Sequence, residues 1–143
     1  MTRNKLLAAL QVTVGLLAAS IPMFAHHGRA GAYDTKHAAT SKATVTDVMY
    51  ANPHVQLSFD TKDGQGKVTH WSGEMTDIGQ LTRAGWGRKR FLGALKPGTT
   101  ITVTYQIATS PQPPGTGVAL VMKIQDEKGD VVGLVRNGVG GQQ

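Results

Sequence analysis

The order of strand and helix signals along this sequence predicts an all-β domain. It is expected to be a small OB-like, five-stranded Greek-key barrel with one short helix, preceded by a signal peptide. Three observations carry the expectation. Five stretches show β-branched residues in period-two alternation, a single helix signal falls between the third and fourth of them, and a basic then apolar segment opens the chain. The helix is the deciding detail, because the OB barrel uses one to plug the gap before its fourth strand. An immunoglobulin-like sandwich would want about seven strands and has no use for it. Another small β-barrel or sandwich is the alternative.

Taken in order, Arg3 and Lys5 precede an uncharged run from Leu6 to Ile21, Pro22 breaks it, and Ala25 offers a small residue for cleavage. This is the secretory layout, and the run is shorter than the ~20 apolar residues a spanning helix needs. Residues 1–25 are expected to be removed, with cuts after Ser20 or Ala30 as alternatives. Residues 26–40 lack periodicity and read as an N-terminal arm. The barrel domain is expected over 41–126. Its first strand, Ser41–Tyr50, places Ala43, Val45, Asp47 and Met49 on one face. Asn52-Pro53 makes a turn, and Val55–Thr61 sets Val55, Leu57 and Phe59 inward. Asp63-Gly64 predicts a hairpin, since Asp-Gly tolerates the positive φ such turns use. Lys67–Met75 is the third strand.

The helix is expected over Thr76–Gly85, with Thr76 as N-cap, Asp77 favourable to the helix dipole, and Gly85 as a left-handed stop. Residues 87–94 read as a basic loop, Lys96-Pro97-Gly98 as a turn, Thr99–Ile107 as the fourth strand, and Ser110–Gly117 as a polyproline-like loop. Val118–Ile124 is the fifth strand. Residues 127–143 would hold an edge strand at Val131–Val135 and a Gly-rich tail. Leu57, Phe59, Ile78, Leu81, Ile101, Val103 and Leu120 are the expected core.

The chain has 143 residues and no cysteine. That length is a prior for one domain, and the missing thiols exclude disulfide scaffolds, thiolate catalysis and Cys-based metal sites. Removal of residues 1–25 leaves 118 residues with a net charge of +4. A mildly basic protein of this kind suits an anionic cell envelope, and a secreted address argues against nucleic acid as a partner.

Several segments occur in a recognisable order. They are Ala25-His26-His27-Gly28, Tyr33-Asp34, Ala51-Asn52-Pro53-His54, His70-Trp71 with Glu74, Arg83-Ala84-Gly85-Trp86 and Leu95-Lys96-Pro97-Gly98. Together, over about residues 25–126, they resemble a widespread bacterial family of small secreted proteins known only as a domain of unknown function. The chain departs from the family pattern in a longer Trp86-to-Leu95 connection and in Thr99 after the Lys-Pro-Gly turn, where an acid is common. The resemblance implies secretion and the fold, and no activity.

His26, His27, His54 and His70 are the candidate metal ligands. Cleavage after Ala25 would give His26 a free α-amine beside its own imidazole, a chelating pair, and a further imidazole would complete a three-nitrogen site. Such nitrogen-rich, tetragonal geometry favours Cu(II), so copper is the expected cofactor. The competing reading makes His26 and His27 a polar chain end, His54 a turn residue facing away from Val55, and His70 a solvated strand residue. His37, in the arm, is a weaker candidate.

Trp71, Glu74, Arg88, Lys89 and Arg90 form the candidate ligand-binding set. Trp71 and Glu74, three apart on a strand, point to opposite faces. Trp71 then reads as core, and Glu74 as either a salt-bridge partner or a ligand carboxylate. Arg88-Lys89-Arg90 beside Trp86 and Phe91 has the basic-plus-aromatic composition of a polyanion contact, or of a solvated loop. No nucleophile elbow, phosphate loop or His-Glu-x-x-His motif occurs, so no catalytic residue is assigned. The expected function is a periplasmic or secreted, non-enzymatic copper-binding protein. The alternative is an OB-like module that binds a periplasmic protein, glycan or small molecule without metal. No membrane span is expected after cleavage.

Overall fold

The structure, a computed structural model, describes residues 29–133. The expected signal segment, His26, His27 and the chain beyond residue 133 lie outside the described residues. A short helix, α1 (Arg29–Ala32), leads into β1 (Ala39–Met49), β2 (Gln56–Lys62) and β3 (Val68–Glu74). Two helices follow, α2 (Ile78–Arg83) and α3 (Arg88–Ala94), and then β4 (Thr100–Ile107) and β5 (Thr116–Gln125). The strands close into a barrel in the order β1-β2-β3-β5-β4, with β1 returning to pair with β4. All neighbours are antiparallel except β3 and β5, which run parallel. This is the expected five-stranded Greek-key barrel.

Alternation drives the packing. Leu57 and Phe59 of β2, Ile101, Val103 and Tyr105 of β4, and Ala119 and Val121 of β5 are buried together inside the barrel. Phe59, Trp71 and Tyr105 form an aromatic cluster, with Trp71 stacked on Phe59 at 6.1 Å and tilted against Tyr105 at 4.8 Å. Among the described residues no polar or charged side chain is buried.

The four residues expected on one face of β1 share it only to Val45, with Ala43 and Val45 buried. The register against β2 shifts between Val45 and Asp47. This bulge inserts a residue and flips the alternation, so Asp47 and Met49 turn outward, Val48 is half-buried and Tyr50 is buried.

Other expectations need correction. Asp77, rather than Thr76, caps α2, since its carboxylate accepts from the Gln80 backbone N–H. A carboxylate is the stronger acceptor at a helix N-terminus. That hydrogen bond, ahead of the others, holds the Asp77 carboxyl below its ordinary value. Gly85 is the expected left-handed stop, with φ of 82° directly after the C-cap Ala84, though the helix itself spans only Ile78–Arg83 and Ile78 is only partly buried. In the β2–β3 hairpin the positive φ falls on Gly66, not Gly64, because Asp63 fixes the turn by accepting from the Gln65 and Lys67 amides. Residues 88–94 are helix rather than loop. Burial of Phe91 on α3, with Leu81 of α2 and Leu95, organises them. These side chains close the barrel against Tyr50, Val55, Met75 and Val132.

The arm is also more ordered than its composition suggests. Tyr33 bridges to Ala108, and backbone bonds join Asp34 to Ile107 and Thr109 to Ala32. Beyond β5, Val131 makes an isolated bridge to Gln125. Val132 and Gly133 are not strand, so the expected edge strand is reduced to this bridge over the described residues; Leu134 and Val135 lie outside them.

Candidate functional site

His54 and Glu74 meet because the loop entering β2 folds back on the end of β3. Val55 donates its N–H to the Thr76 carbonyl, and Met75 donates its N–H to Val55. Val55 and Met75 are buried, so their neighbours His54 and Glu74 point away from the core. The peptide between Asn52 and Pro53 in this loop is cis. His54 Nε2 lies 3.7 Å from Glu74 Oε1, in ion-pair range, and the two side chains are 24% and 26% exposed.

The other Glu74 oxygen accepts a hydrogen bond of 3.1 Å from the Tyr33 hydroxyl. Tyr33 is itself buried and comes from the arm. The group therefore joins three separate parts of the chain: the arm, the β1–β2 loop and the end of β3. It offers one imidazole, one carboxylate and one phenol at a half-shielded surface. Glu74 was a candidate from the sequence, but its pairing with His54 and the part of Tyr33 were not anticipated. Tyr33 as the single aromatic residue of the arm was the available signal.

His70 does not join this group. It projects from β3 four residues before Glu74, a strand distance of about 13 Å. There it pairs with Asp60 across the β2–β3 ladder, Nδ1 to Oδ1 at 2.7 Å, with its own side chain 67% exposed. His37 pairs with Asp34 at 2.8 Å on the arm. The His37 contact is the first of the causes that hold the Asp34 carboxyl below its ordinary value. Among the described residues, no three His, Asp or Glu side chains converge in a metal-binding group.

The remaining candidates separate. Trp71 faces the barrel interior, and its indole N–H donates to Thr61 Oγ1 at 2.9 Å. Glu74 faces outward, opposite to Trp71 as the strand period requires. Arg88 donates to the Tyr50 carbonyl at 2.9 Å and lies over the Tyr50 ring. Arg90 donates to the Gly85 carbonyl at 3.1 Å and stacks over Trp86 at 4.0 Å. Lys89 is exposed between them.

Among the described residues no helix is long and apolar enough to cross a membrane. Neither a curated protein nor a solved structure matches this chain. A family profile does match: residues 13–118 fit it, and the chain belongs to the family of unknown function DUF6152.

Proposed function

We propose that this is a periplasmic or secreted, non-enzymatic copper-binding protein whose metal site forms when the N-terminal arm brings His26 to His54 and Glu74. The observation that carries the reading is the Tyr33–Glu74–His54 contact, which roots the arm beside a half-shielded imidazole and carboxylate. His27 lies six residues before Tyr33, so an extended chain could carry it no more than about 20 Å from that root. An α-amine, two imidazoles and a carboxylate make a nitrogen-and-oxygen donor set without thiolate. That set suits Cu(II), which also stands highest in the divalent affinity series. His70 is left out of the site, because it is spent on Asp60 at the other end of β3.

The test is calorimetric titration of the protein beginning at His26 with Cu(II), Zn(II) and Ni(II). One Cu(II) per chain should bind, more tightly than the other two ions. His26→Ala should weaken it most, His54→Ala next, and a residue placed ahead of His26 should also weaken it by moving the amine. Equal copper uptake by wild type and His26→Ala would overturn the site. The module reading, with no metal, would then take its place.

A further inference from the structure

Charge is distributed unevenly along this chain. Residues 78–125, a run of 48, contain no Asp or Glu, yet hold Arg83, Arg88, Lys89, Arg90, Lys96 and Lys123. Five of those six cations fall within residues 83–96, on the two-helix segment that closes one end of the barrel. Leu81, Phe91 and Leu95 of this segment are buried, and all five cations are exposed. The acid that precedes the run is Asp77, which caps α2 and interacts with Arg83, and Asp126 and Glu127 lie beside the Gly98 turn at its far edge.

From this segregation we infer that the α2–α3 end is a docking surface for an anionic phospholipid membrane. The inference is independent of the copper site. Several basic residues without interspersed acids gain attraction additively at a negatively charged headgroup plane. Half-buried Trp86 sits among them, an amphipathic side chain of the kind enriched at membrane interfaces. Single-stranded nucleic acid fits less well, because that mode needs free aromatic faces for bases. Here the Trp86 ring already carries the Arg90 guanidinium, and Phe91 is buried. Arg88 and Arg90 are held by backbone carbonyls, so the exposed cations without such a backbone anchor are Arg83, which faces Asp77, and Lys89 and Lys96.

The test is vesicle co-sedimentation of the protein as purified from its producing cell, with vesicles of phosphatidylglycerol or of phosphatidylcholine. Wild type should sediment with phosphatidylglycerol and not with phosphatidylcholine, and high salt should release it. Arg83→Glu/Lys89→Glu/Lys96→Glu should lose at least about tenfold in binding while keeping its circular-dichroism spectrum. If that variant unfolds, Lys89→Glu/Lys96→Glu replaces it. The charge-matched control Lys42→Glu/Lys62→Glu/Lys67→Glu, on exposed positions of the strands and hairpin, should keep most of the binding. Equal loss in the control would mean net charge alone and would overturn the surface. So would equal sedimentation with both vesicles, or binding to heparin without binding to phosphatidylglycerol.

Discussion

At Gly117 the two chains of a parallel strand pair leave no room for a side chain. A Cβ there would sit 2.4 Å from the Trp71 ring, its partner in the β3–β5 ladder. Gly73 on β3 is crowded too, since a Cβ there would lie 2.6 Å from Val121 Cγ2 and 3.1 Å from the Phe59 ring and the Leu57 carbonyl oxygen. The barrel therefore closes between β3 and β5 by exchanging large side chains for glycines. Gly117→Ala should cost roughly 1–3 kcal/mol through overpacking, and should move the tryptophan emission because Trp71 must shift. Denaturant unfolding with fluorescence detection would check both. An unchanged midpoint and spectrum would mean that the ring has room the structure does not show. Neither glycine could be singled out from the sequence, because a strand glycine reads as a weak position until its partner across the ladder is known. Glu74 has the same history. Its outward direction followed from Trp71 by the strand period, but its partners His54 and Tyr33 depend on the fold.

Individual elements were legible where local chemistry decides them. The five strands and the first helix of the β3–β4 connection were expected within two or three residues of where they lie, because β-branched alternation, Pro-Gly turns and a stop glycine act locally. Two elements were not legible. The β1 bulge changes nothing in the composition of Ser41–Tyr50; it is set by registry with β2. Helix α3 has three consecutive cations and a glycine, a pattern that suits a loop, and becomes a helix because Phe91 finds the barrel's end. If so, Phe91→Ala should cost about 3–5 kcal/mol, measured by chemical denaturation, whereas a side chain on a mere surface loop would cost almost nothing.

The cap of α2 gives a pH signature. Its Asp77 carboxyl is held below the ordinary value when folded, so folding favours the ionised form. That contribution is present above the unfolded value of about 3.8 and is lost as pH falls through the lowered folded value. Asp77→Asn keeps a capping oxygen without a titrating charge. It should lower stability modestly near neutrality, where the ionised carboxylate's contribution is lost, and make the loss of stability below about pH 4 shallower. Acid unfolding curves that coincide for the two proteins would contradict the cap's role.

At the scale of the whole molecule, the barrel brings together what lies far apart in sequence. The closed strand order sets the β1–β2 loop beside the end of β3, and the fringe of bonds from residues 31–35 to residues 106–109 holds the arm's root on the same side. The histidine motifs were legible as candidates because imidazoles near a chain start and in an Asn-Pro-His turn are chemically conspicuous. Their sorting was not. His54 was joined to a carboxylate and the arm, while His70, equally conspicuous, was taken by Asp60. Only strand register distinguishes them.

The charge asymmetry was visible as a basic triplet, and its full extent emerges when all five cations of the two-helix segment prove exposed. The central claim, however, is that arm and barrel build one metal site. Electron paramagnetic resonance of the protein beginning at His26, loaded with one equivalent of Cu(II), tests it most directly. The account predicts a tetragonal spectrum with nitrogen couplings that changes in both His26→Ala and His54→Ala, and that fades on acidification, because protons compete with the metal for its nitrogen donors. A spectrum left unchanged by His54→Ala would place the copper on the arm alone, and would contradict it.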